Sequence, residues 1–161
     1  MSTTDTPGRD DRAFLGHPKG LGYLSFAEAF ERFSYYGMQA LLVLYMVKYL
    51  LLPGNFERVW GLGSGIFGLY TSLVYLTPIA GGLIADRWLG RRRTVLAGAI
   101  TMAVGHFLMA FEPAFLLALL CLIVGTGLFK GNIASQVGGL YGAEDNRRAD
   151  AFQIFYLGIN A

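Results

Sequence analysis

The chain alternates long uncharged runs with short charged segments. Phe33–Val47 carries no formal charge and Lys48 stands near its end. Val59–Ala85, Thr94–Phe111 and Pro113–Phe129 are equally clean, and after Lys130 the chain stays uncharged to Ala143. A further apolar run begins at Ala151 and reaches Ala161. A bilayer core about 30 Å thick needs roughly 20 helical residues to cross it. The pattern therefore predicts an all-α integral membrane protein with four spanning helices and the start of a fifth, at about 21–52, 60–86, 93–111, 113–142 and 149–161. Leu52-Pro53-Gly54-Asn55 and Glu112-Pro113 supply turn residues where helices must stop.

Composition agrees. Over 161 residues, 54% are hydrophobic and only 15% charged, and the mean hydropathy is +0.46. The 22 glycines suit close helix packing in lipid. The only cysteine, Cys121, lies in an apolar run and forms no metal or redox pattern. Residues 1–20 lack the apolar core of a signal peptide and read as a flexible tail. The basic residues are one-sided. Arg9, Arg12 and Lys19 precede the first span, Arg87 and Arg91–Arg93 follow the second, and Arg147 and Arg148 precede the fifth. Only Arg58, with Lys48 close by, lies on the opposite side. Cytoplasmic loops are the basic ones, so the N-terminus is expected in the cytoplasm of a multi-pass plasma (inner) membrane protein. A fifth helix ending at Asn160-Ala161 would leave carbonyls unsatisfied in hydrocarbon. The expectation is thus an N-terminal portion of a longer protein.

Some charges fall inside the predicted spans. Glu28, Glu31 and Arg32 are spaced i, i+3, i+4 and continue as one helical stripe through Tyr35 and Gln39. Lys130 interrupts the fourth span. A central charge costs about 2.5–3.5 kcal/mol on insertion scales, so groups of this kind must face one another or water. The four are neutral together when ionised, and one bound proton makes them cationic, a state suited to an anionic group such as a carboxylate. Residues 28–32 alone also fit an interfacial anchor. Lys130 tips the balance toward function, because it cannot easily snorkel from mid-span.

The stretch EAFERFSYYG, residues 28–37 from Glu28 to Gly37, resembles the E-x-x-E-R-F-S-Y-Y-G signature of the proton-dependent oligopeptide transporters, a branch of the major facilitator superfamily. The lead-in Gly16-His-Pro-Lys-Gly-Leu21 is similar to that of bacterial members. GGLIADRWLGRR (Gly81–Arg92) is similar to the superfamily's loop motif, and FYLGIN (Phe155–Asn160) to the start of the family's F-Y-x-x-I-N-x-G signature. The resemblance implies a partial N-terminal major-facilitator bundle, residues 21–161, behind a cytoplasmic tail. It implies symport of di- and tripeptides with protons, completed by a C-terminal bundle of the same protein. Glu28, Glu31, Arg32 and Lys130 would couple protons, and either glutamate is open as the carrier. Arg32 and Lys130 would also hold the peptide carboxylate. Tyr35, Tyr36 and Tyr75 would contact the peptide, and Asn160 its backbone or amino end. Animal members carry a second-helix histidine where this chain has Gly68, which leaves coupling to the carboxylates.

The arginines after the second span read first as topology; by resemblance, Asp86 with Arg87 would act as an inner gate. Glu144 and Asp145 are expected to pair with nearby arginines. His106 reads as a hydrogen-bonded packing residue. Gly125, Asn132, Gln136 and Gly139 share a face of the fourth helix and read as a packing surface. Pro78, Gly81 and Gly82 are expected to bend the second helix, and Trp60 and Trp88 to anchor span ends. No zinc spacing, phosphate loop or nucleophile elbow occurs, and the basic residues lack the aromatic interleaving of nucleic-acid binders. The expectation is a transporter rather than an enzyme, with no cofactor or metal, protons as coupling ion, and no nucleic-acid partner. Two other readings stay open: a related facilitator for another solute such as nitrate or an amino-acid derivative, and a non-transporting membrane element.

Overall fold

The computed structural model describes residues 11–45, 56–142 and 144–160. Among them the regular secondary structure is helical, joined by short turns, with one isolated bridge between Phe14 and His17. Helix α1 is Lys19–Tyr45, α2 Phe56–Ile84, α3 Arg91–Leu108, α4 Phe115–Gly139 and α5 Arg147–Asn160. A π-helical turn, Ala85–Leu89, follows α2, and a 3-10 turn, Glu112–Ala114, precedes α4. The five expected helices are present with shifted ends. The expected Leu52–Asn55 turn, the last part of the first span with Lys48, and Ala161 lie outside the described residues. Helix α3 stops at Leu108 and α4 at Gly139, short of the expected 111 and 142.

By length and composition, two described helical stretches are apolar enough to cross a membrane, Gly61–Leu89 and Glu112–Gly139. Helix α1 carries Glu28, Glu31 and Arg32 along its length, and α3 opens on Arg91-Arg92-Arg93. Those charges lower the hydropathy of both.

The chain divides into two compact units. One comprises the chain up to Ser34 together with the chain from Ile133 on; the other is Tyr35–Asn132. The boundary falls inside α1 and inside α4.

In the second unit, α4 packs through glycines. On α2, a Cβ at Gly81 would land on the Gly127 carbonyl, and a Cβ at Gly131 would land on the Pro78 carbonyl. A Cβ at Gly127 would lie 2.6 Å from Thr77 Cβ. Thr77 Oγ1 donates to the Ile123 carbonyl at 3.2 Å. On α3, a Cβ at Gly98 would meet Phe129 N at 2.7 Å, and one at Gly125 would meet Met102 N at 2.8 Å. Backbones come this close where at least one side lacks a Cβ. The packing face expected at Gly125, Asn132, Gln136 and Gly139 is therefore divided. Gly125 serves α3, Asn132 reaches α2, and Gly139 has open space around it. Helix α2 runs through Pro78 from Phe56 to Ile84. His106 takes the packing role read from sequence, donating from Nδ1 to the Met102 carbonyl at 2.8 Å. Gly90, between the π turn and α3, sits at φ +74°, a region L side chains rarely adopt. Trp88 is exposed, as an interfacial anchor requires.

In the first unit, residues 11–18 of the segment read as a flexible tail form a defined turn against the rest of that unit. Leu15 and Gly16 have φ of 52° and 82°, the pattern of a type I′ turn, and Phe14 and His17 exchange backbone bonds of 3.0 and 2.8 Å around them. Asp11 accepts from the backbone N–H groups of Ala13 and Lys19, each at 3.0 Å, satisfying an orphan donor at the start of α1. His17 and Pro18 are buried, and His17 Nδ1 lies 2.9 Å from the Tyr141 hydroxyl. Arg147 donates to the Gly16 carbonyl at 3.2 Å, ties Asp145 through three hydrogen bonds of 2.8–3.1 Å, and sits over the Tyr141 ring. Hydrophobicity alone gave no warning of this order, because a turn held by backbone bonds and one carboxylate leaves little apolar periodicity.

Asp145 has a pH consequence. Hydrogen bonds from the Arg147 side chain, then from its backbone N–H, hold the Asp145 carboxyl below the usual carboxylate range. A lowered folded-state value stabilises the fold above the unfolded pKa of about 3.9 and loses that effect as pH falls through the folded value. Asp145→Asn is therefore expected to lower the thermal midpoint at pH 7, with the gap to the parent closing in acid. An equal gap at pH 7 and pH 3 in thermal unfolding would contradict this.

Candidate functional site

Helix α1 presents its charges on one stripe because i, i+3 and i+4 fall on one helical face. Glu28 Oε1 lies 3.6 Å from Arg32 Nε. Glu31 Oε2 accepts a hydrogen bond from Arg32 Nε at 2.6 Å and also meets Nη2. The side chains of Glu28, Glu31 and Arg32 are only 6%, 5% and 13% exposed. Three charges at this burial persist only because they pair: removing one partner of a buried pair typically costs about 3–5 kcal/mol. This triad belongs to the first unit.

In the second unit, Lys130 Nζ stands 4.9 Å from the centroid of the Tyr35 ring, and Tyr35 is itself buried. A cation over a desolvated aromatic face is stabilised by about 2 kcal/mol. Tyr36 stacks edge-on against Tyr35 with centroids 5.5 Å apart, and its own ring is exposed.

The other residues expected at the site, Tyr75, Asn160, Asp86 and Arg87, are exposed. Tyr75 is 70% exposed on α2. Asn160 is exposed and donates to the Tyr156 carbonyl of its own helix at 2.8 Å. Asp86 lies in the first turn of the π segment with its side chain 63% exposed, 3.6 Å from Arg91 at the start of α3. An exposed pair of this kind contributes about 0–1 kcal/mol. Arg87 is exposed as well. Among the described residues no group of three or more His, Cys, Asp or Glu side chains is placed to hold a metal ion.

Sequence reasoning passed over Asn132 as a contributor to the site. It is 2% exposed, and its Nδ2 donates both to the Gly81 carbonyl of α2 at 3.1 Å and to the Leu128 carbonyl at 2.9 Å. Its available signal was an amide two residues from a mid-span lysine.

An all-helical chain with apolar crossings, glycine-packed helices and buried ion pairs is an integral membrane protein of the transporter type. The profile of the POT family matches residues 92–161, and the chain is similar to members of that family along most of its length. It is 40% identical over 165 residues to the peptide transporter YePEPT of Yersinia enterocolitica subsp. palearctica serotype O:3 (strain YE-P4), covering 99% of this chain and 32% of that protein. It is 42% identical over 161 residues to the di-/tripeptide transporter of Lactococcus lactis subsp. lactis (strain IL1403), covering 94% of this chain and 31% of that one. The crystal structure of a POT family transporter in complex with 5-aminolevulinic acid superposes with a TM-score of 0.83 at 37% identity, over 92% of this chain and 31% of that one. The chain thus spans about a third of the length of the relatives it matches. The resemblance read from EAFERFSYYG, GGLIADRWLGRR and FYLGIN is borne out, and so is the all-α major-facilitator fold.

Proposed function

We propose that this chain contributes the proton-coupling and carboxylate-binding half of a transporter that moves di- and tripeptides inward with protons. The observation that carries the reading is the buried Glu28–Glu31–Arg32 triad. Ionisable groups held within a membrane helix mark ion and substrate pathways. With Lys130 the formal charge is zero when all four groups are ionised, and one proton on Glu28 or Glu31 makes it positive. That couples proton uptake to the attraction of a peptide carboxylate, held by Arg32 and Lys130. Tyr35, Tyr36 and Tyr75 line the peptide, and Asn160 meets its backbone or amino end. Asp86 and Arg87 serve as the inner gate, opened as helices rock. Protons are the coupling ion and no cofactor takes part. The Lys and Arg distribution supports a plasma (inner) membrane location with the N-terminus in the cytoplasm.

The second reading is a carrier of amino-acid derivatives. It draws support from the solved relative holding 5-aminolevulinic acid, which also presents a carboxylate.

The deciding measurement is uptake of a labelled dipeptide into proteoliposomes holding the product of the full reading frame that carries this chain. An inward proton gradient is expected to accelerate uptake. Uptake indifferent to the gradient sinks proton coupling. Uptake that excess dialanine does not reduce, but 5-aminolevulinic acid does, moves the assignment to the second reading.

A further inference from the structure

We infer that Asn132 is a positioning residue that aims Lys130 at Tyr35 by fixing the rotation of α4 against α2. The inference rests on the binding role proposed for Lys130. Lys130 is followed by Gly131 and Asn132, and it lies within the stretch of α4, from Ile123 to Asn132, that meets α2. Gly131 abuts the Pro78 carbonyl, and one turn earlier Gly127 abuts Thr77 and Gly81. A glycine seam sets how near two backbones come, but it carries little angular preference. A directed hydrogen bond does. Asn132 Nδ2 spends both of its protons, one on the Gly81 carbonyl at 3.1 Å and one on the Leu128 carbonyl at 2.9 Å. One anchors the side chain to its own helix and the other ties that helix to α2. Thr77 Oγ1 reinforces the tie from α2, donating to the Ile123 carbonyl at 3.2 Å.

The geometry makes rotation matter. Gly131 separates Lys130 from Asn132, which places them about 100° to either side of it. A rotation of about 20° at a helix radius of roughly 5–6 Å carries a side-chain tip about 2 Å. The Lys130 ammonium lies 4.9 Å from the Tyr35 centroid, and cation–π attraction holds only to about 6 Å. A shift of that size would take the ammonium to or beyond that limit. Asn132 touches neither substrate nor proton in this account; it acts through Lys130.

The test uses the full reading frame carrying this chain, purified in detergent, with Asn132→Ala, Lys130→Ala and the double variant. Lys130 is acylated with an amine-selective reagent and followed by mass spectrometry, with the exposed Lys19 as internal standard. Dialanine affinity is measured in parallel. Asn132→Ala is expected to change the Lys130 labelling rate several-fold while Lys19 is unaffected, and to weaken dialanine binding about tenfold. In the Lys130→Ala background it adds less than about twofold, because coupled residues do not add. Should Asn132→Ala fail to fold, Asn132→Ser keeps a donor for the Leu128 carbonyl, loses the reach to Gly81, and gives the same readouts. An unchanged Lys130 labelling rate, or an Asn132 effect of full size without Lys130, overturns the inference and leaves Asn132 a packing residue. If the parent protein binds no dialanine, the peptide reading fails, and the labelling experiment still decides the positioning.

Discussion

Glu28→Gln, made in the full reading frame, is expected to abolish the proposed gradient-driven dipeptide uptake and to spare counterflow exchange. The amide is nearly isosteric and keeps hydrogen-bonding capacity, but it cannot carry a proton. The triad tolerates the change because Arg32 holds its shorter contact with Glu31, a hydrogen bond of 2.6 Å, while Glu28 lies 3.6 Å away. The guanidinium therefore keeps a buried carboxylate partner. Gradient-driven uptake is expected to fall about 100-fold or more, equivalent to roughly 2.7 kcal/mol. Counterflow, which needs no net proton movement, is expected to stay within a few-fold of the parent, and the thermal midpoint to move little. Glu31→Gln is the companion measurement. It leaves Arg32 with only the longer pair, so a larger loss of stability is expected. If Glu31→Gln shows the uptake-versus-counterflow split and Glu28→Gln does not, the proton belongs to Glu31. If neither shows it, the triad does not couple protons.

The second large effect is one of stability and separates two adjacent glycines. Gly81→Ala places a Cβ on the Gly127 carbonyl, whereas Gly82→Ala places one in open space. The obstacles at Gly81, the Gly127 carbonyl and the Leu128 Cα, are backbone and cannot turn aside as a flexible side chain would. Helices α2 and α4 must separate, which also stretches the Asn132 bond to the Gly81 carbonyl. Overpacking of this kind costs about 1–3 kcal/mol, and more where backbone must move, against a total stability of about 5–15 kcal/mol. Gly81→Val is expected to yield little or no monodisperse protein and Gly81→Ala a clearly lowered thermal midpoint. Gly82→Ala is expected to be neutral or slightly stabilising, since alanine favours helix by about 1 kcal/mol over glycine. Size-exclusion profiles and thermal unfolding check both. Equal behaviour at the two positions would remove the close approach of α2 and α4 from the account of this fold.

These two glycines show where sequence reasoning stops. Gly81 and Gly82 together suggested a bend near Pro78, and the sequence treats them alike. A period of 100° per residue says which residues share a face. It does not say which helix stands across from that face or how near it comes. The fourth helix shows the same limit. Gly125, Asn132, Gln136 and Gly139 do share a face, yet Gly125 meets α3, Asn132 bonds to α2 and a Cβ at Gly139 would point into open space. Gly127 and Gly131, which make the α2 seam, were unremarkable among 22 glycines.

The sequence by itself determined the helices, the membrane environment, the family and the charged stripe on α1. Each follows from local composition, from the cost of charge in lipid, or from a contiguous motif, all of which one strand of text contains. The tertiary structure alone decided that Arg32 lies closer to Glu31 than to Glu28, that Lys130 sits over Tyr35, and that residues 11–18 fold onto Tyr141 and Arg147. It also decided at which glycines an added Cβ would meet the backbone of a neighbouring helix. Those facts depend on distances between residues as far as 131 positions apart, and such distances are set by how neighbouring backbones pack, which no local pattern encodes.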